Sequence, residues 1–237
     1  RRTAFPSAAG AGRLAGTGAG PAGTGPRMRR WYGVRLFIAV DPPEDVLDEV
    51  QAAVAGVRRN GDGLRWSGRR DWHITLHFLG EVGERRRPGL EAAFAAEAAR
   101  HGAPHIAVRG AGTFPGDDTR AVVLWAGVEG GTAALGRLAG GLRRTARRCG
   151  ERVERRPYVP HLTLARSRTP VDLADTRTAL AGLATPFWHV EEIHLMESRP
   201  GAGEDRYRTV ATWPLGPNWP GLHTRPRHSA TPGSTSP

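Results

Sequence analysis

The chain has 237 residues, 39% of them hydrophobic, and a formal charge of +11 at pH 7. That length fits one domain or two joined lobes with enough chain to bury a core, and a single cysteine, Cys149, excludes an intrachain disulfide and a cysteine-built zinc site. No run of about 18 apolar residues is present, which excludes a membrane-spanning helix of the usual kind, and no apolar stretch suited to a secretory signal opens the sequence, so a cytoplasmic protein is expected.

Residues 1–27 are Ala, Gly, Pro, Thr and Arg with almost no large apolar side chain, and such a segment cannot bury enough surface to offset its ordering entropy. It is expected to be a disordered basic tail, with Met28 as the natural start of the protein. The folded domain is expected over residues 28–214. Residues 215–237, rich in Pro, Gly, Ser and Thr, read as a second disordered tail. The two ends carry eight of the eleven excess positive charges, six of them in residues 1–30, so the high net charge says little about a basic nucleic-acid face on the domain itself. All basic residues are arginine, as compositional bias in a GC-rich genome would give.

In chain order, Arg35–Val40 is an apolar strand stopped by Asp41-Pro42-Pro43. Glu44–Arg58 has helical spacing through Val46, Leu47, Val50, Val54 and Val57, with Pro43 before it and two acids in the first turn. His73–Leu79 is a second strand, ended by Gly80, and Arg85–His101 a second helix. His105–Val108 and Ala121–Val128 are strands around a turn at Pro115–Asp118. Thr132–Cys149 is a helix with Leu135, Leu138 and Leu142 on one stripe. His161–Arg166 is a strand, Val171–Leu183 a helix, and Phe187–Met196 with Arg206–Trp213 a final strand pair around a loop at Pro200–Gly203.

The helix-then-strand unit occurs twice, and each copy delivers the same type of tetrapeptide: His73-Ile74-Thr75-Leu76 and His161-Leu162-Thr163-Leu164. In a strand, alternate side chains share a face. His73 and Thr75 therefore point one way and Ile74 and Leu76 the other, and the second copy does the same. The duplication predicts two pseudo-symmetric lobes that present two imidazoles and two hydroxyls around one small ligand. This set suits phosphodiester chemistry. One imidazole takes a proton from water, the other gives one to the leaving oxygen, and the hydroxyls hydrogen-bond the non-bridging oxygens. No metal or other cofactor is needed.

The same residues carry a family likeness. Arg35–Pro43, Leu64-Arg65-Trp66, His73–Gly80 and Tyr158–Arg166 resemble the RNA 2′,3′-cyclic phosphodiesterases, long called 2′-5′ RNA ligases, of the 2H phosphoesterase superfamily. The resemblance spans residues 31–214. It implies an α+β fold of two lobes, each an antiparallel sheet with outer helices, around a central cleft. It implies hydrolysis of a 2′,3′-cyclic phosphate at an RNA 3′ end to a 2′-phosphate; apart from the resemblance, a monomer with no membrane partner is expected. By the same resemblance His73 and His161 are catalytic, His73 protonating the departing 3′ oxygen and His161 activating water. Thr75, Thr163 and Arg166 are phosphate-binding. Strand parity puts Arg166 on the leucine face, so it reaches the cleft only if the strand ends or bulges near Ala165.

Other readings remain open at this point: ligation or another cyclic or 2′-5′ phosphodiester substrate, a non-catalytic RNA-end binder, and a zinc hydrolase, for which the ligand spacing is lacking. His77 shares a strand face with His73 by simple alternation, but four strand positions span about 13 Å, too far for one ion, so a solvated rim histidine is expected. Phe78 is expected to pack between sheet and helix, and His189 and His194 to lie on the surface.

Overall fold

The computed structural model describes residues 34–59, 63–154 and 156–216. The regions expected to be tails, 1–27 and 215–237, lie outside these residues save for Leu215 and Gly216. Nine strands and four α-helices follow in chain order: β1 Val34–Val40, α1 Glu44–Val57, β2 Arg65–Trp66, β3 Ile74–Val82, α2 Arg87–Ala98, β4 His105–Phe114, β5 Ala121–Gly130, α3 Thr132–Arg148, β6 His161–Val171, α4 Ala174–Ala179, β7 Trp188–His189, β8 Glu192–Ser198 and β9 Tyr207–Pro214. A short 3₁₀ turn, Arg69–Asp71, precedes β3.

All the strand pairings are antiparallel, in the order β7-β4-β5-β6-β3-β1-β8-β9, with β2 added to β6. The order reads the same from either end. β3 and β6 meet at the centre, β1 and β5 flank them, β8 and β4 come next, and β9 and β7 are outermost. α1 joins β1 to the first motif and α3 joins β5 to the second. The centre is the weakest seam, a single residue pair, Ile74 with Leu162. The sheet is thus two half-sheets, as the duplication predicts, joined at the middle residues of the two motifs.

The core lies on the helix-covered side. Val46, Leu47, Val50 and Val54 of α1 and Leu135, Leu138 and Leu142 of α3 are buried there with Ile74, Leu76, Leu162 and Leu164. Apolar burial on this side is what fixes the faces of the two motif strands.

Three sequence expectations are corrected. The helix expected over Val171–Leu183 is only Ala174–Ala179, because β6 runs on to Val171. Its partner Ala121 of β5 lies opposite Val171, so ladder hydrogen bonds override the helical spacing. The strand expected over Phe187–Met196 is two: Trp188–His189 pairs with β4, then Glu192–Ser198 pairs with β1. One segment thereby serves both half-sheets. His189 and His194 are half-buried, not on the surface. His189 stacks on His105 with ring centroids 4.3 Å apart, and His194 Nδ1 lies 3.0 Å from Thr212 Oγ1.

Candidate active site

The pairing of Ile74 with Leu162 sets the register of the two motifs. Across the antiparallel seam, that register puts His73 opposite Thr163 and Thr75 opposite His161, on the face away from Ile74 and Leu162. These four residues line one cleft of about 690 Å³, together with Arg166.

Arg166 gets there through a β-bulge. Along β5 and β6, Trp125 faces Thr163 but Leu124 faces Ala165, so Leu164 has no partner of its own. An extra residue reverses the parity beyond it. Leu164 and Ala165 are both buried, and Arg166 turns to the cleft side, its guanidinium 3.4 Å from Thr163 Oγ1.

The first motif has the same bulge at the same place. Ala39 faces Thr75 and Ile38 faces His77, which leaves Leu76 unpaired. Simple alternation therefore fails after Leu76, and it misplaces two residues. His77 is not a rim histidine: it is 6% exposed on the core side, and its Nε2 meets no hydrogen-bond partner among the described residues. Phe78 is not packed between sheet and helix: it is 51% exposed and lines the cleft. Matched through their bulges, His77 corresponds to Ala165, and Phe78 to Arg166.

Each motif histidine is fixed in the same way. His161 Nδ1 lies 2.7 Å from the carbonyl oxygen of Val159, two residues upstream. His73 is likewise hydrogen-bonded to the backbone of Asp71, two residues upstream. A ring N–H donated to a carbonyl fixes the tautomer, so the other nitrogen is free to accept a proton when the ring is neutral or to donate one when it is charged. Aromatic rings hold the imidazole planes. Phe37 lies 4.9 Å from His73 and Tyr207 meets it edge-on at 5.0 Å, while Phe114 meets His161 edge-on at 5.0 Å and Trp125 lies 6.0 Å away. Trp125 reaches that position because it lies over Gly112, where a Cβ would come within 2.2 Å of its ring.

The cleft is hostile to extra positive charge. Burial first, then the Arg166 guanidinium and the neighbouring His161, lower His73 from 6.5 to about 4. Burial and Arg166 also lower His161. Both rings are drawn toward the neutral form while the cleft holds no anion. Arg35, Arg65, Arg152 and Arg206 add to the lining, against the acids Asp71 and Glu154. Sequence reasoning did not single these out. Arg35 was legible in principle, since it shares a face with Phe37 and Ala39 by alternation along β1. Arg206 comes from the β8–β9 connection and Tyr207 opens β9, and no local pattern marks them. Among the described residues, no three His, Cys, Asp or Glu side chains converge as a metal-ligand set.

Comparison with known proteins places these features in context. Residues 42–202 match the family described as the 2'-5' RNA ligase superfamily. The RNA 2',3'-cyclic phosphodiesterase of Geobacillus stearothermophilus is 35% identical over 63% of this chain but only 47% of its own length, so the match spans under half of that relative. The RNA 2',3'-cyclic phosphodiesterase of Methanothermobacter thermautotrophicus is 31% identical over 70% of this chain and 90% of its own. The crystal structure of E. coli LigT complexed with 3'-AMP superposes with a TM-score of 0.62 at 26% identity, over 78% of this chain and 98% of that one.

Proposed function

Because this chain belongs to the 2'-5' RNA ligase superfamily, we propose that it is an RNA 2′,3′-cyclic phosphodiesterase that opens the cyclic phosphate at an RNA 3′ end and leaves a 2′-phosphate. The observation that carries this reading is the pair of identically bulged, identically anchored His-x-Thr strands that open on one cleft beside Arg166. The names of the relatives support the substrate class.

In the proposed reaction the cyclic phosphate sits between the two motifs. Thr75, Thr163 and Arg166 hold its non-bridging oxygens, where negative charge builds in the transition state. His161 takes a proton from the attacking water. The water oxygen bonds to phosphorus, the bond from phosphorus to O3′ breaks, and His73 delivers a proton to O3′. His73 is neutral at pH 7 before substrate enters, so as the acid it must take up a proton with the substrate. The negative charge of the phosphate favours that uptake, because an anion close to an imidazole raises its pKa. No step calls on a metal ion.

The test is direct. An RNA oligonucleotide ending in a 2′,3′-cyclic phosphate is incubated with the protein in EDTA, and the position of the product phosphate is mapped. A 2′-phosphate is expected. A 3′-phosphate, no reaction, or activity restored only by added zinc or manganese contradicts the proposal.

A further inference from the structure

The outer helices of the two halves occupy equivalent places but carry opposite charge. α1 has four acids, Glu44, Asp45, Asp48 and Glu49, and no base. α3 has five arginines and no acid, and no acid occurs from Gly130 to Gly150. At about 100° per residue the five arginines of α3 fall within roughly 140° of arc. All five are exposed, opposite the buried Leu135, Leu138 and Leu142. A genomic preference for arginine acts on both helices alike, so it does not account for this contrast.

The two charged faces also differ in their partners. Arg69, on the turn before β3, pairs with Glu44 and Asp48 of α1. On α3, Arg148 donates to Thr145 Oγ1 at 2.7 Å and has a long contact to Glu97 at 3.9 Å, and among the described residues no carboxylate pairs with Arg137, Arg143, Arg144 or Arg147. Like charges four apart on a helix repel, as Arg143 with Arg147 and Arg144 with Arg148 do here.

The chain leads from the C-terminal end of this face to the rim of the cleft. Arg86 donates to the Cys149 carbonyl, just past the end of α3, and pairs with Glu151 at 3.1 Å. Arg152, Val153 and Glu154 then line the cleft. Arg152 is four positions beyond Arg148, at most about 14 Å of chain. A strand whose cyclic end sits in the cleft and which leaves over this rim would pass the C-terminal end of α3, where Arg147 and Arg148 stand.

We propose that the arginine face of α3 binds the phosphate backbone of single-stranded RNA upstream of the reacting end. This rests on the phosphodiesterase reading and extends it: the preferred substrate is an oligonucleotide rather than a cyclic mononucleotide or dinucleotide. The acidic α1 face is held partly neutralised by Arg69, so a second copy of the chain is a poorer occupant than RNA.

The test compares the wild type with Arg137→Gln/Arg144→Gln/Arg147→Gln and with the matching triple Lys variant, each checked for an unchanged melting temperature. The substrates are a dinucleotide and a single strand of about twelve nucleotides, both with cyclic ends. The Gln variant should raise KM for the long strand about tenfold and reduce the slope of log KM against log salt by about 2, three charges at about 0.7 each. Its kinetics on the dinucleotide and its kcat on both should be unchanged, and the Lys variant should behave as wild type. Equal effects on the two substrates, or none, would overturn the proposal. So would a salt-sensitive oligomer that the Gln variant dissolves with no change in the long-to-short ratio, since the face would then bind a second copy. If the wild type hydrolyses neither substrate, the catalytic reading fails. Anisotropy of the labelled long strand with an unmodified 3′-hydroxyl end then decides the surface alone: tighter binding by wild type supports it, and equal binding sinks it.

Discussion

The half built on β1 and β3 and the half built on β5 and β6 share one device and load it differently. Both motifs open with a histidine hydrogen-bonded to the backbone two residues back, follow it with a threonine after one residue, and bulge at the next leucine. After the bulge they diverge. One half turns Arg166 toward the cleft and buries the small Ala165; the other turns Phe78 toward the cleft and buries His77. What stays the same is what two opposed proton transfers need, two imidazoles in equivalent settings. What differs is charge at matched places: Arg166 and the arginine face of α3 belong to the second half, Phe78 and the acidic α1 to the first.

The largest expected effect breaks the shared part. General acid–base groups contribute about 10²–10⁴ in rate, so His73→Ala and His161→Ala should each lower kcat by that much, with little change in KM. If the two act as a unit, the double variant loses less than the product of the single losses. Steady-state kinetics on a cyclic-ended oligonucleotide checks both.

Next comes the divergent position. In the proposed reaction Arg166 is a charged donor to the phosphate, and removal of one such donor costs about 10²–10³ in kcat. Arg166→Ala should therefore approach a histidine variant in severity. Thr75→Ala and Thr163→Ala should cost less, about tenfold each, because a hydroxyl hydrogen bond to a charged group is worth about 1.5 kcal/mol at the low end. Equal losses for the two threonines would show the pseudo-symmetry persisting at the phosphate. A large inequality would show that Arg166, 3.4 Å from Thr163 Oγ1, carries part of that threonine's role.

The smallest effect on turnover sharpens the contrast between His77 and Ala165. Burial first, with Arg143 nearby, holds His77 at about 4, against an ordinary value of 6.5. The folded protein keeps His77 neutral while the unfolded chain protonates it, so its share of stability is full above about pH 6.5 and drains away as pH falls toward 4. The loss over that window is roughly 3 kcal/mol from this residue. His77→Leu should leave kcat near wild type and flatten the fall in unfolding free energy between pH 6.5 and 4, measured by urea titration. An unchanged pH slope would contradict the buried, neutral assignment.

Much of this arrangement was legible in the sequence, because burial and strand period write themselves into it. The repeated His-x-Thr-Leu marked both motif strands, and the leucine stripes of α1 and α3 marked the covering helices. The expectation failed where a single extra residue changes parity. Nothing in Leu76-His77-Phe78 announces a bulge, since that depends on how Ile38 and Ala39 pair across the ladder. The same event at Leu164 was needed to bring Arg166 to the cleft, and only the conflict between strand parity and family resemblance pointed to it. Net charge misled in a different way. Counted over the folded region it is small, yet it conceals four acids on one helix and five arginines on its counterpart. Charge counted helix by helix would have shown this without a structure.

The central claim is that the two matched histidines have opposed tasks, and one substitution in the substrate tests it most directly. Replacing the 3′ bridging oxygen of the cyclic phosphate by sulfur gives a leaving group that departs without a proton. On that substrate His73→Ala should recover most of its lost kcat, whereas His161→Ala, short of the group that activates water, should stay as slow as on the oxygen substrate. Rescue of His161→Ala alone would exchange the two roles and leave the pair standing. Rescue of both variants or of neither, with both proteins folded, would contradict the account.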